Sequence, residues 1–252
     1  MRIDLTGRSV LVTGGSRGIG AALVRAFAGA GARVAVHYGR EAGRAEALAA
    51  EVGGGAQAFG AELADAQACA HLWDAVVTRF GRIDVLVNNA GIAISAPLDA
   101  ELDRWVEDWD RTMAVNLTAT AVLCRAAVAH FRENGGGRIV NIASRAAFRG
   151  DQPDYLAYAA SKAGQVALTR SIARAFGGDG IKAFVVAPGF TRTEMAQDFI
   201  DQYGPEIALR DNALGRFTEP EDIAPTVLFL ASGLADHATG TTVDINAASY
   251  VR

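Results

Sequence analysis

At 252 residues the chain has room for one large α/β domain or two small ones. Half of its residues are hydrophobic and 21% are charged, which supplies a sizeable core and excludes extensive disorder. A net charge of -4 argues against a nucleic-acid binder, which carries a basic stripe. The two cysteines, Cys69 and Cys124, offer neither a metal spacing nor a disulfide framework. Both read as buried, inert thiols, and no metal site is expected. Met1-Arg2-Ile3-Asp4-Leu5 contains no apolar signal region, and nowhere do about 18 uncharged apolar residues run together. A soluble, cytoplasmic protein without a membrane association is therefore expected.

Short β-type runs alternate with longer Ala-rich helical stretches. The predicted strands are Ser9–Thr13, Arg33–Tyr38, Ala56–Gly60, Ile83–Asn88, Arg138–Ala143, Lys182–Ala187 and Thr242–Asn246. Most are continuous apolar runs, as strands buried on both faces must be. Helices are predicted near Gly18–Ala30, Ala42–Val52, Ala66–Phe80, Arg104–Glu133, Tyr155–Phe176 and Pro220–Ser232. The stretch Arg104–Glu133 is long enough to be two helices broken near Asp110. This alternation implies βαβ units and a parallel sheet covered on both faces. No linker or repeat divides the chain, so one domain spans residues 1–252. The rhythm breaks over about 190–217, where a mixed segment containing Phe190, Met195, Phe199, Ile200, Tyr203, Ile207 and Leu209 reads as a substrate lid.

Thr13-Gly14-Gly15-Ser16-Arg17-Gly18-Ile19-Gly20 follows the first strand and opens the first helix. Glycines there permit a tight turn and let backbone N–H groups approach a pyrophosphate at the positive end of a helix. Gly14, Ser16, Arg17, Gly18, Ile19 and Gly20 are thus candidate dinucleotide contacts. The end of the second strand discriminates between cofactors, because an acid there holds a ribose 2′-hydroxyl and an arginine accommodates a 2′-phosphate. The chain reads Tyr38-Gly39-Arg40-Glu41. Arg17 and Arg40 favour NADP(H), with Tyr38 alongside, while Glu41 leaves NAD(H) possible.

Tyr158 and Lys162 lie one helical turn apart, and Ser144 ends an apolar strand upstream. An ammonium on the same helix face favours the phenolate of a group whose ordinary pKa is about 10. Tyr158 is the candidate acid–base group and Ser144 the hydrogen-bond donor to a developing alkoxide.

Together, Thr13-Gly14-x-x-x-Gly18-x-Gly20, Asn88-Asn89-Ala90-Gly91, Asn116, Ser144, Tyr158-x-x-x-Lys162 and Pro188-Gly189-x-x-x-Thr193 resemble, in order and over nearly the whole length, the short-chain dehydrogenases/reductases. The chain is most similar to their β-ketoacyl reductase-like members. The resemblance implies a single Rossmann-fold domain with a seven-stranded parallel sheet, and Asn116 as a fourth catalytic residue through a water. It places Glu62, Asn89, Ala90 and Gly91 on the adenosine side of the cofactor. Pro188, Gly189, Thr191 and Thr193 fall on the nicotinamide side, and Lys162 on its ribose. The expected reaction is hydride transfer between NADP(H) and a carbonyl or secondary alcohol, with a 3-oxoacyl thioester reductase as the alternative. A non-catalytic NADP(H) sensor is disfavoured by retention of all four catalytic residues. Gly135 and Asp179 stand where carrier-protein-dependent relatives place basic docking residues, and the terminal Asn246-Ala247-Ala248 stands where relatives place a Gly-Gly pair. The apolar circumference of helices Arg104–Glu133 and Tyr155–Phe176 implies, by the resemblance, a homotetramer or homodimer.

Overall fold

Seven apolar runs become seven parallel strands: β1 (Ser9–Val12), β2 (Arg33–Tyr38), β3 (Gln57–Gly60), β4 (Val85–Asn88), β5 (Gly137–Ile142), β6 (Ile181–Pro188) and β7 (Thr242–Ile245). Their order is β3-β2-β1-β4-β5-β6-β7, in register through Val12 against both Val36 and Val87, Asn88 against Asn141, and Pro188 against Ile245. The structure, a computed structural model, describes residues 3–251 apart from 205, 207, 208 and 210, and leaves the side chains at 198, 199, 202 and 203 undescribed. The lid candidates Phe199, Tyr203 and Ile207, and Arg210, lie outside that description.

Strand side chains alternate between faces, and the two sides of the core follow that period. Val10, Val12, Val34, Val36, Val85, Val87 and Val186 pack against α1 (Gly18–Gly29), α2 (Ala42–Val52) and the helix Pro220–Ala231. Their neighbours Leu11, Ala35, Leu86, Ile139 and Ala183 face α3 (Ala66–Phe80) and the helices Ala119–Glu133 and Leu156–Phe176. Leu11, Leu86 and Ile139 are fully buried. Removing such a side chain costs about 2–5 kcal/mol through lost transfer energy and a residual cavity. The order in which strands are added to the sheet reverses between β1 and β4, and ligands of open α/β sheets bind at that switch point, off the carboxyl ends of the strands.

The long helical stretch does not break at Asp110. It runs as α4 (Leu102–Met113), a π-helical turn (Ala114–Thr118) and α5 (Ala119–Glu133). Asp108 is buried, accepts from Arg104 Nε at 2.9 Å and so remains inside an intact helix. The irregularity begins four residues after Asp110, at Ala114, and is centred on Asn116. By length and composition this continuous helix is apolar enough to cross a membrane. Its Leu123, Cys124, Ala127 and Phe131 instead pack in the core with Trp73 and Ile139. Among the described residues the further α-helices are α6 (Ala146–Arg149), α7 (Leu156–Phe176), α8 (Glu194–Tyr203) and α9 (Pro220–Ala231). A parallel bridge between Thr191 and Thr218 closes the base of the excursion that carries α8.

Candidate active site

Ser144 stands two residues past the end of β5, and its Oγ accepts the N–H of Ala146, the first residue of α6, at 3.1 Å. The helix α7 returns Tyr158 to the same end of the sheet, where its side chain hydrogen-bonds with that of Ser144. Burial pushes the phenol up to about 12, opposed by the Ser144 hydrogen bond and reinforced by Asp151. This is the reverse of the expected direction. Lys162 does not deliver its charge to the phenolic oxygen: Nζ lies 5.8 Å from the ring centroid and donates to Ile142 O at 2.9 Å and Gln165 Oε1 at 3.4 Å. Burial pushes the Lys162 ammonium down to about 8. Desolvation thus outweighs the attraction expected from spacing alone.

The π-helical turn explains Asn116. Its Nδ2 donates to Ile92 O at 2.9 Å and Ser161 Oγ at 3.0 Å, and its Oδ1 accepts the Ile92 N–H at 2.8 Å. The turn also frees its backbone carbonyl, which accepts from Gln165 Nε2 at 2.7 Å and Thr120 Oγ1 at 2.8 Å. Lys162, Gln165 and the Asn116 carbonyl therefore form one connected hydrogen-bonded path. A Cβ on Gly91 would sit 3.2 Å from Lys162 Nζ and 3.4 Å from Asn116 Oδ1, so the chain passes close over both. Sequence reasoning missed Gln165. A polar residue three positions after Lys162 was its only signal.

The glycine loop is built for close approach. A Cβ at Gly20 would lie 2.0 Å from Gly14 O, and Gly14 adopts φ +60° with Ala90 Cα 3.0 Å from its own Cβ position. Asn89 Nδ2 donates to the carbonyls of Thr13 and Gly14 at 3.0 and 3.1 Å, while Thr13 Oγ1 accepts the Asn89 and Ala90 N–H groups at 3.0 and 3.1 Å. His37 Nδ1 accepts the Gly14 N–H at 3.0 Å. No side chain caps α1, whose N-cap is Arg17, so the first-turn amides beside Ser16, Gly18 and Ile19 face outward for an anion. These features fit a dinucleotide pyrophosphate.

At the adenosine end, Tyr38 packs its ring over Gly60, 3.0 Å from where a Cβ would stand. Glu62 accepts the Ala64 N–H at 3.1 Å and faces Arg111 at 3.3 Å, with Arg40 in electrostatic reach. Asp65 caps α3 by accepting the Gln67 N–H at 2.8 Å. The arginine that shares partners with Arg17 is Arg44, not Arg40: both bond Glu194 of α8, Arg44 at 2.7 Å. Glu41 completes the cluster, 2.7 Å from Arg44 and 3.9 Å from Arg17.

On the other side, Pro188 O accepts the Arg145 N–H at 3.0 Å and Gly189 N donates to Ile245 O at 2.8 Å. A Cβ on Gly189 would meet Asn246 Cα at 2.7 Å. Thr191 Oγ1 donates to Gly189 O at 3.2 Å, and Thr193 Oγ1 caps α8 by accepting the Ala196 N–H at 3.3 Å. Arg149 pairs with Asp211 at 3.2 Å and Arg192 with Glu219 at 2.9 Å. Burial lowers the pKa of Arg145 and raises that of Asp151 near the same mouth. An open groove of about 630 Å³ beside β7, lined by Arg170, Asp244 and Tyr250, contains none of Ser144, Tyr158 and Lys162. Cys69 and Cys124 are buried thiols pushed up to about 11 and about 12. Among the described residues no cluster is placed to hold a metal ion.

A family model described as enoyl-(acyl carrier protein) reductase matches residues 14–247. The D-threitol dehydrogenase of Mycolicibacterium smegmatis is 41% identical over 246 residues, covering 96% of this chain and 92% of that protein. The 3-oxoacyl-[acyl-carrier-protein] reductase of Synechocystis sp. is 37% identical over 246 residues, covering 96% of each. Among solved structures, a short chain dehydrogenase from Burkholderia cenocepacia in complex with NADP matches with a TM-score of 0.88 at 37% identity, covering 97% of this chain and 98% of that one.

Proposed function

Because the chain belongs to the short-chain dehydrogenase/reductase family, we propose that it is an NADP(H)-dependent oxidoreductase interconverting a small carbonyl compound and its secondary alcohol. The observation that supports this reading most is the hydrogen-bonded Ser144–Tyr158 pair with buried Lys162 beneath it at the carboxyl end of β5. When bound, a nicotinamide dinucleotide supplies or accepts the hydride. Gly14, Ser16, Arg17, Gly18, Ile19 and Gly20 would hold its pyrophosphate, with Asn89, Ala90 and Gly91 beside them. Tyr38, Arg40 and Glu62 would line the adenosine end, and Pro188, Gly189, Thr191, Thr193 and Lys162 the nicotinamide end. NAD(H) remains the second cofactor, through Glu41.

In reduction, Tyr158 gives its proton to the substrate oxygen while Ser144 donates a hydrogen bond to the same atom. A phenol held at about 12 stays protonated at neutral pH, the form a general acid requires. Lys162 replaces that proton, and Gln165 and the Asn116 carbonyl tie the ammonium to the π-helical turn. The D-threitol and 3-oxoacyl relatives differ in substrate polarity, so relationship alone does not name the substrate. A thioester is the second reading. Asp179, paired with Arg132 at 2.9 Å, offers no free cation to a carrier protein.

The segment 190–217 acts as the lid over this site in the proposed reading, supported by the seating of Thr193 3.1 Å from the Cβ position of Gly18. The proposal includes a cytoplasmic homotetramer, or homodimer. Exposed Leu102 and Val106 beside the stacked Trp105–Trp109 pair support self-association. The test is a panel of ketones, aldehydes and acyl thioesters followed by nicotinamide absorbance with NADPH and NADH in parallel. Turnover of a carbonyl by the natural chain, and its loss by about 100-fold or more in Tyr158→Phe, is expected. Full turnover by Tyr158→Phe would remove that residue from the chemistry.

A further inference from the structure

Glu194 stands at the first position of α8, directly after Thr193, and its carboxylate is bound by two guanidiniums from different parts of the fold. One is Arg17, the N-cap of α1 in the glycine loop; the other is Arg44, in the first turn of α2. Arg44 also pairs with Glu41 at 2.7 Å, and Glu41 reaches Arg17 at 3.9 Å. Two carboxylates and two guanidiniums thus form a closed cluster just past the end of β2. That edge is where such folds distinguish a ribose 2′-hydroxyl from a 2′-phosphate, and arginine is the side chain that accommodates the phosphate. The excursion that carries Glu194 is tied to the glycine loop by sterics as well, since Thr193 Cγ2 lies 3.1 Å from the Cβ position of Gly18.

We propose that Glu194 is a specificity-determining residue: an internal carboxylate that competes with the 2′-phosphate of NADP(H) for Arg17 and Arg44, and thereby moderates the preference for NADP(H) over NAD(H). The inference rests on the proposed dinucleotide function and adds Arg44 and Glu194 to the residues that read the adenosine ribose. A phosphate dianion makes charge-assisted bonds to both arginines but must first displace Glu194 from them. A 2′-hydroxyl carries no charge and makes no such demand. Each of these pairs is exposed and screened by solvent, so the competition is modest in size.

The experiment measures dissociation constants by calorimetry for adenosine 2′-phosphate, and by nicotinamide fluorescence for NADPH and NADH. It compares the natural chain with Glu194→Gln and Arg44→Ala, each checked for its folded state by thermal melting. Glu194→Gln is expected to tighten adenosine 2′-phosphate and NADPH about three- to tenfold while leaving NADH within about twofold. Arg44→Ala is expected to weaken the two phosphate-bearing ligands by a similar factor and spare NADH. Unchanged or weakened NADPH binding in Glu194→Gln, or an equal change for both dinucleotides, would overturn the competition. If the natural chain bound neither dinucleotide, the proposed function itself would fall, a result distinguishable from an inert Glu194 in a chain that binds NADPH.

Discussion

His37 Nδ1 accepts the Gly14 amide at 3.0 Å while His37 Nε2 meets Ala61 O at 3.1 Å, so one buried imidazole bridges the glycine loop to the segment after β3. Accepting at Nδ1 and donating at Nε2 fixes the neutral tautomer. Burial lowers its pKa below the ordinary 6.5, with Glu62 opposing. The unfolded chain therefore binds this proton more readily than the folded one. The stability that neutral His37 contributes is complete above about pH 6.5 and is lost as pH falls through the lower folded value. His37→Phe leaves the Gly14 donor and Ala61 acceptor unpaired, for a deficit of about 1–3 kcal/mol at pH 7.5. In urea titrations that deficit should narrow between pH 6.5 and 5. A deficit constant across the range would refute the linkage.

Asn116 anchors the loop after β4 through two hydrogen bonds with the backbone of Ile92, and a third ties it to Ser161 of α7. Asn116→Leu leaves the Ile92 N–H and C=O without their partners in a partly buried position, at about 1–2 kcal/mol for each group. A fall in urea stability of about 2–4 kcal/mol is expected, together with a lower kcat. A variant that kept native stability would show that the π-helical turn, and not the side chain, holds Ile92.

Ala247 and Ala248 adopt φ values of +51° and +56°, the left-handed region in which a Cβ crowds the following carbonyl. A glycine pair, the residues that relatives were expected to place here, adopts such φ values without that crowding. The Ala213 N–H, bonded to Ala247 O at 2.9 Å, helps hold that conformation. Glycine substitution relieves strain of about 1 kcal/mol but enlarges the unfolded ensemble by a fraction of that. Ala247→Gly should raise the free energy of unfolding in urea slightly, by less than about 1 kcal/mol. A marked loss of stability would show that the alanine methyl packs usefully.

The sheet was legible because its strands are apolar runs, and each observed strand overlaps its predicted span with ends shifted by at most two residues. Ser144, Tyr158, Lys162 and Asn116 were legible as motif positions, and the structure brings all four to the carboxyl edge. What the sequence hid were non-local matters. The Lys162 ammonium points at Ile142 O, twenty positions away, so helical spacing with Tyr158 misled the expected pKa direction. The departure from α-helical geometry falls at Ala114–Thr118, around the helix-unfavourable Asn116, and not near Asp110, where the length of the apolar stretch suggested a break. Arg44 became visible only when α8 placed Glu194 between it and Arg17.

The outer face of α4 exposes Leu102 and Val106, and Trp105 and Trp109 stack beside them with centroids 5.2 Å apart. An apolar stripe of this kind on a charged helix is suited to a second copy of the chain. Val106→Glu should shift the chain to a smaller species in sedimentation or light scattering at micromolar concentration, with unfolding cooperativity intact. A natural chain already monomeric under those conditions would exclude the oligomer.

Lys162 is 3% exposed, and burial pushes its ammonium from 10.5 down to about 8. Between those values the unfolded chain binds the proton and the folded chain does not, so stability rises with pH across the window. Tyr158, pushed up to about 12, acts in the opposite sense above its ordinary value of 10, which limits the useful range to about pH 8–10. At 1.36 kcal/mol per unit the full Lys162 contribution is of order 3 kcal/mol. Lys162→Met abolishes this dependence and leaves Ile142 O without its side-chain donor, which offsets about 1 kcal/mol of the gain. The variant should therefore be more stable than the natural chain at pH 7.5 by about 1–2 kcal/mol, with the advantage shrinking or reversing by pH 10, while turnover is lost. Urea unfolding at half-unit pH steps decides the matter: parallel curves for the two proteins would mean that Lys162 titrates near its ordinary value, and that it is not the desolvated proton source of the proposed reaction.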